Sequence, residues 1–190
     1  EAKHHIYLHA AYYPKYADDS FYNESFRHVI RNNPNIDIRV IISDTDAPWA
    51  AEFGLILRNH FRNVEVFKES TKSSINFFRE LGEAHPDNLK LVFSDALPLA
   101  PYLIIDNTIL IGHYAHSRCK APEGYWFEIQ NDRLIEMCGH NLTSDTTYFD
   151  TLDEESRAAS RYLEDFQFAY IRGLYKMGFI SDPDDYKDIW

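Results

Sequence analysis

Asp106, His113 and His116 combine residue types and spacing that can do chemistry. They lie in PLAPYLIIDNTILIGHYAH, residues 98–116, where two apolar runs, Tyr102–Ile105 and Ile109–Ile111, flank Asp106-Asn107. Imidazoles titrate near neutral pH and suit general acid–base work, and a carboxylate nearby can orient a ring or hold a ligand. Gly112, just before the histidines, lets the backbone bend or approach a ligand closely. As metal ligands the two histidines have no evident third partner, so no metal is expected. The plainer alternative is a pair of surface turn histidines.

Asp44-Thr45-Asp46 is a second candidate, because it follows an apolar run at the edge where open α/β sheets bind ligands. Paired carboxylates there can hold a divalent cation through oxygen. The reading preferred is simpler: Asp44 makes the turn and Asp46 caps the next helix, with Pro48 in its first turn. Trp126 is a candidate pocket wall, set against the commoner fate of a core Trp. Cys119, between Arg118 and Lys120, has positive neighbours but no paired base. His5 and His9 share one face of a first strand and His4 takes the other.

These residues need a frame. Residues 4–13 read as a strand and 18–31 as a helix with Phe21, Phe26, Val29 and Ile30 at helical spacing. Residues 36–43 (IDIRVIIS) read as a strand buried on both faces, because three β-branched residues stand in succession. A helix then carries Trp49, Phe53, Ile56, Leu57 and Phe61. Val64–Phe67 reads as a short strand, and Thr71 or Ser73 as the cap of a helix ending near Gly82. Leu89–Phe93 is a strand and Asp106-Asn107 a tight turn between two more. Tyr125–Ile129 and Arg133–Met137 read as a hairpin turning at Asn131-Asp132. Asp153 caps a long last helix to about Met177. The fold class is therefore α/β: a mostly parallel sheet with helices on both faces, an antiparallel hairpin near the C-terminal end and a long C-terminal helix. Residues 1–180 form one domain and 181–190 an acidic tail. The start at Glu1 is read as a fragment of a longer protein.

Composition bounds the function. With 13 Tyr, 13 Phe and 45% hydrophobic residues, the 190-residue chain can build its own core. A net charge of −11 lacks the clustered Lys and Arg that nucleic acid or an anionic membrane requires, so neither is expected as a partner. No apolar run reaches transmembrane length. Two cysteines without metal or disulfide spacing point to a reducing, cytoplasmic setting. No P-loop, GxGxxG, HExxH or nucleophile elbow is present, and no cofactor is expected.

The 98–116 stretch resembles the signature half-site of the phospholipase D-like superfamily: His-x-Lys, four residues, Asp, six residues, then Gly-Ser-x-x-Asn. Aligned on the aspartate, Asp106 and Gly112 match, while the His position falls on Leu99, Lys on Pro101, Ser on His113 and Asn on His116. The resemblance implies a phosphoenzyme chemistry that Leu99 and Pro101 cannot perform. It therefore implies a non-catalytic ligand-sensing, regulatory or dimerisation module of a larger protein, with no catalytic residues. Its expected ligand-binding residues are Asp106, His113, His116, Asp44 and Trp126. Expected partners are other domains of the parent protein, a second copy in a homodimer, or a small anionic ligand. The alternative is a hydrolase or transferase for a phosphorylated or nucleotide-like substrate, using Asp106, His113 and His116.

Overall fold

A computed structural model of the chain describes residues 2–10, 20–50, 64–96, 100–113, 125–182 and 189. Its first strand, β1 (His5–Ala10), leads to α1 (Ser20–Asn32) and β2 (Asp37–Ser43). Helix α2 (Val64–Ala84) leads to β3 (Leu89–Ser94), followed by β4 (Tyr102–Ile105), β5 (Thr108–His113) and β6 (Tyr125–Gln130). Two single-turn helices, α3 (Leu134–Met137) and α4 (Thr146–Phe149), precede the long α5 (Glu154–Lys176). Among the described residues the strands form one sheet in the order β3-β2-β1-β4-β5-β6. β1, β2 and β3 run parallel, and β4, β5 and β6 continue the sheet antiparallel. The fold is mixed α/β, as expected, with the antiparallel part extended to three strands.

Alternation along the strands divides the core in two. Ile6, Leu8, Ile38, Val40 and Ile42 point to one face, where Phe26 and Ile30 of α1 and Phe77, Phe78 and Leu81 of α2 cover them. Tyr7, Ile41, Val92, Tyr102, Ile104 and Ile109 point to the other, under Leu134 and Met137 of α3 and Leu163, Phe166 and Tyr170 of α5. β2 is buried from Ile38 to Ser43 because both of its faces are covered.

Asp153 starts α5, its carboxylate accepting the Ser156 N–H at 2.7 Å. The helix lies so close to β3 that Gly173 has no room for a side chain. A Cβ there would meet Val92 Cγ1 at 2.0 Å and the Phe93 carbonyl oxygen at 2.9 Å. Past the helix end, Gly178 takes φ 74°, and the Phe179 N–H closes the turn on the Leu174 carbonyl.

Two expectations are corrected. Val64–Phe67 is the start of α2, not a strand. Its local alternation of polar and apolar residues is overridden by Thr71, Ser74, Phe77, Phe78 and Leu81, buried at helical spacing further on, and Val66 is exposed. Arg133–Met137 is α3 rather than a hairpin strand. The Asn131 side chain accepts the Arg133 N–H and the Asn131 carbonyl accepts the Leu134 N–H, which closes a helical turn. Leu134 and Met137, three apart, then both reach the core. Of the helix expected after Pro48, residues 51–63 lie outside the described residues, as do Leu99, His116 and Cys119.

Candidate functional site at the carboxyl edge of β1

The strand order places a topological switch beside β1. The chain steps outward from β1 to β2 to β3, then returns to the other flank of β1 as β4. In open α/β sheets the carboxyl edge at such a reversal is where two connections diverge and leave a crevice. His9, near the end of β1, is the register partner of Tyr102 at the start of β4. The two therefore share a sheet face, and α5 crosses above them.

Three side chains join there in a hydrogen-bonded chain. The Tyr102 hydroxyl donates to Asp165 Oδ2 of α5 at 2.8 Å, and His9 Nδ1 lies 3.1 Å from the same hydroxyl. Because Tyr102 spends its proton on the carboxylate, its oxygen accepts, so Nδ1 carries the imidazole hydrogen. His9 Nε2 is left as an acceptor, and among the described residues it has no hydrogen-bond partner in its buried position. Ser43 Oγ, at the end of the adjacent β2, is likewise buried and unpartnered. His9 is 1% exposed, and burial pushes its imidazole down to about 4, so the ring is neutral at physiological pH. Burial, with the charge and hydrogen bond of Asp165 behind it, raises the Tyr102 phenol well above its ordinary value. Tyr102 is thus a fixed dipole rather than a proton donor in catalysis.

Outward from this chain lies a groove of about 610 Å³ between the start of β4 and the first half of α5. It is open to solvent: Glu154, Arg157, Ala158 and Arg161 of its lining are exposed. Tyr102 and Asp165 form part of its lining, together with Glu154, Arg157, Arg161 and Tyr162 of α5. Ala100 and Ala158 keep it open. Arg157 reaches the Asp150 carbonyl and lies over the Phe149 ring. Arg161 makes no hydrogen bond, ion pair or ring contact among the described residues.

The residues singled out in the sequence are dispersed. Asp106 sits at the β4–β5 turn with φ 50° and accepts the backbone N–H groups of Lys3, His4 and His5 at 2.8–3.0 Å. Partial burial raises its pKa, but these three bonds outweigh it and hold the carboxyl below its ordinary value. Asp106 fastens the start of β1 to the hairpin. β5 ends at His113, five positions beyond Thr108 and so about 17 Å away along the strand. Asp106 and His113 therefore stand at opposite edges of the sheet and cannot act on one small substrate. Asp44 is at the carboxyl edge but is engaged: it accepts the Asp46 N–H and the Lys176 ammonium. Burial opposes its ionisation and these partners overcome that, holding its pKa low. Trp126, 47% exposed, lies opposite Gly112 and so on the sheet face away from His9. No group of three or more His, Cys, Asp or Glu among the described residues is placed to hold a metal ion.

Arg157, Arg161 and Asp165 were passed over because the last helix was read only for its inward apolar face. A signal was present: positions 154, 157, 161 and 165 trace a charged stripe at helical spacing beside that face.

No family model and no curated protein matches the chain. Among solved structures, TrmBL2, described as an archaeal chromatin protein with a novel mode of DNA binding, is similar at 13% identity and a TM-score of 0.37. The match covers 79% of this chain and 44% of that one. At that score the likeness assigns neither fold nor function. Two expectations are withdrawn beside it. A regulatory phospholipase D-like module finds no support in a neighbour described as a DNA-binding chromatin protein, and that reading is withdrawn. The exclusion of nucleic acid on net charge is withdrawn as well. The physical reason is that −11 is a sum over the whole chain, whereas nucleic-acid binding depends on how charge is distributed locally. No helix among the described residues is long and apolar enough to cross a membrane.

Proposed function

We propose that this chain is a small-molecule-binding α/β domain whose site is the groove between the start of β4 and α5. One observation carries the reading. Tyr102 and Asp165, the outer two members of the His9–Tyr102–Asp165 chain, line a groove of about 610 Å³ at the topological switch of the sheet, with His9 buried behind them. Burying a polar network is costly unless every member is satisfied. Among the described residues His9 Nε2 and Ser43 Oγ have no partner on the same edge, a cost that well-packed cores generally avoid. The ligand carries polar groups, because two guanidinium groups, two carboxylates and two phenols line the groove, alongside Ala100 and Ala158. The cytoplasm is the compartment this reading assumes, since Cys138 is a buried free thiol against His5 Nε2 at 3.2 Å.

Ligand-observed NMR with a library of small polar metabolites tests the assignment. Ala158→Trp places a ring in the groove from an exposed helix position and should leave the fold intact by circular dichroism. Compounds that bind the native protein should lose binding to this variant. Hits that bind both proteins equally would move the site elsewhere.

A further inference from the structure

The charges that line the groove specify more than polarity. Along α5 they run Glu154, Arg157, Arg161, Asp165: two negative and two positive, with the carboxylates at the ends. A ligand bearing charge of one sign meets repulsion from half of them. Arg161 and Asp165 stand one helical turn apart, a spacing at which opposite charges ordinarily pair. They do not pair here. The Tyr102 hydroxyl holds Asp165 Oδ2 at 2.8 Å, and Arg161 is left with no ion pair or hydrogen bond among the described residues. Asp165 Oδ1 likewise accepts no hydrogen bond among the described residues. The result is an open cation and an open carboxylate oxygen about 6 Å apart at the level of their Cβ atoms, facing the same groove. Arg157 and Arg161, also one turn apart, repel each other on the helix surface, and a shared anionic group would relieve that repulsion.

We infer that the groove takes a small zwitterion, in the chemical class of the free α-amino acids. Its carboxylate sits on Arg161, with Arg157 beside it, because a planar guanidinium offers two parallel N–H donors to a carboxylate. Its ammonium sits on Asp165 Oδ1. Tyr102 and Tyr162 flank the space between the two charges. The inference rests on the groove reading above.

Isothermal titration calorimetry with the standard L-amino acids, at neutral pH and moderate salt, tests it on the full chain. At least one amino acid should bind. Its analogues without the amine or without the carboxylate should bind about tenfold less tightly or worse, as expected when a charge-assisted hydrogen bond is removed. Arg161→Gln should weaken the intact amino acid by a similar factor and leave the carboxylate-free analogue unaffected. Asp165→Asn should do the converse, weakening the amino acid and sparing the amine-free analogue. Arg161 is exposed, so that variant folds. If no amino acid binds while another polar compound occupies the groove and is displaced by Ala158→Trp, the zwitterion is wrong and the groove stands. If nothing binds there at all, both fall. Equal binding of the amino acid and its one-charge analogues would also overturn the inference.

Discussion

His9 sets the stability of the site against pH. Its imidazole has an ordinary value of 6.5 and is pushed down to about 4 by burial. The native protein therefore binds fewer protons than the unfolded chain between those limits, and stability rises with pH across that window. Above 6.5 both states hold a neutral ring and the effect vanishes. Below about 4 both are protonated and the full penalty, about 3 kcal/mol, is present. Urea denaturation from pH 4 to 7 should show a markedly shallower slope for His9→Gln than for the native protein, an amide being able to meet the Tyr102 hydroxyl without titrating. Parallel curves would mean that the ring is solvated. Asp106 acts at the same scale but on the frame: it satisfies three backbone donors at the start of β1. Asp106→Ala removes those acceptors and leaves a left-handed residue without compensation. It should cost about 2–3 kcal/mol in chemical denaturation. Ligand binding should persist in that variant, because the turn lies at the edge opposite the groove.

Helix α5 is the element on which the site depends, since it supplies the groove's charges and covers the same sheet face with Leu163, Phe166 and Tyr170. Its seating is fixed by Gly173 against β3. Gly173→Ala should lower stability by about 2–3 kcal/mol although alanine favours helices, because the added carbon collides with Val92 and with the rigid backbone of Phe93. A thermal melt that rises instead would mean that α5 does not approach β3 so closely. Elements of this kind were legible in the sequence. The Asp153 cap and inward Leu163, Phe166 and Tyr170 foretold α5, and unbroken β-branched residues foretold β2. Val64–Phe67 was misread because four residues alternate equally well as a strand end or as the exposed first turn of a helix. Only the burial of Thr71 and Ser74 decides between these. The site was harder still. Asp106 and His113 are close in sequence, yet a hairpin strand carries them to opposite edges. His9, Tyr102 and Asp165 are far apart in sequence and meet only because β4 returns to pair with β1.

At the scale of the whole molecule, the proposed site arises where the sheet changes direction beside β1, and α5 roofs it. The charge of −11 does not choose the ligand, because the groove's own ionisable side chains sum to zero. Crystallographic soaking with a library of small polar fragments is the most direct measurement. Fragments should collect between Tyr102, Arg161 and Asp165, with hydrogen bonds to Arg161 or to Asp165 Oδ1, more often than anywhere else on the molecule. Fragments that gather elsewhere and leave this groove empty would contradict the claim.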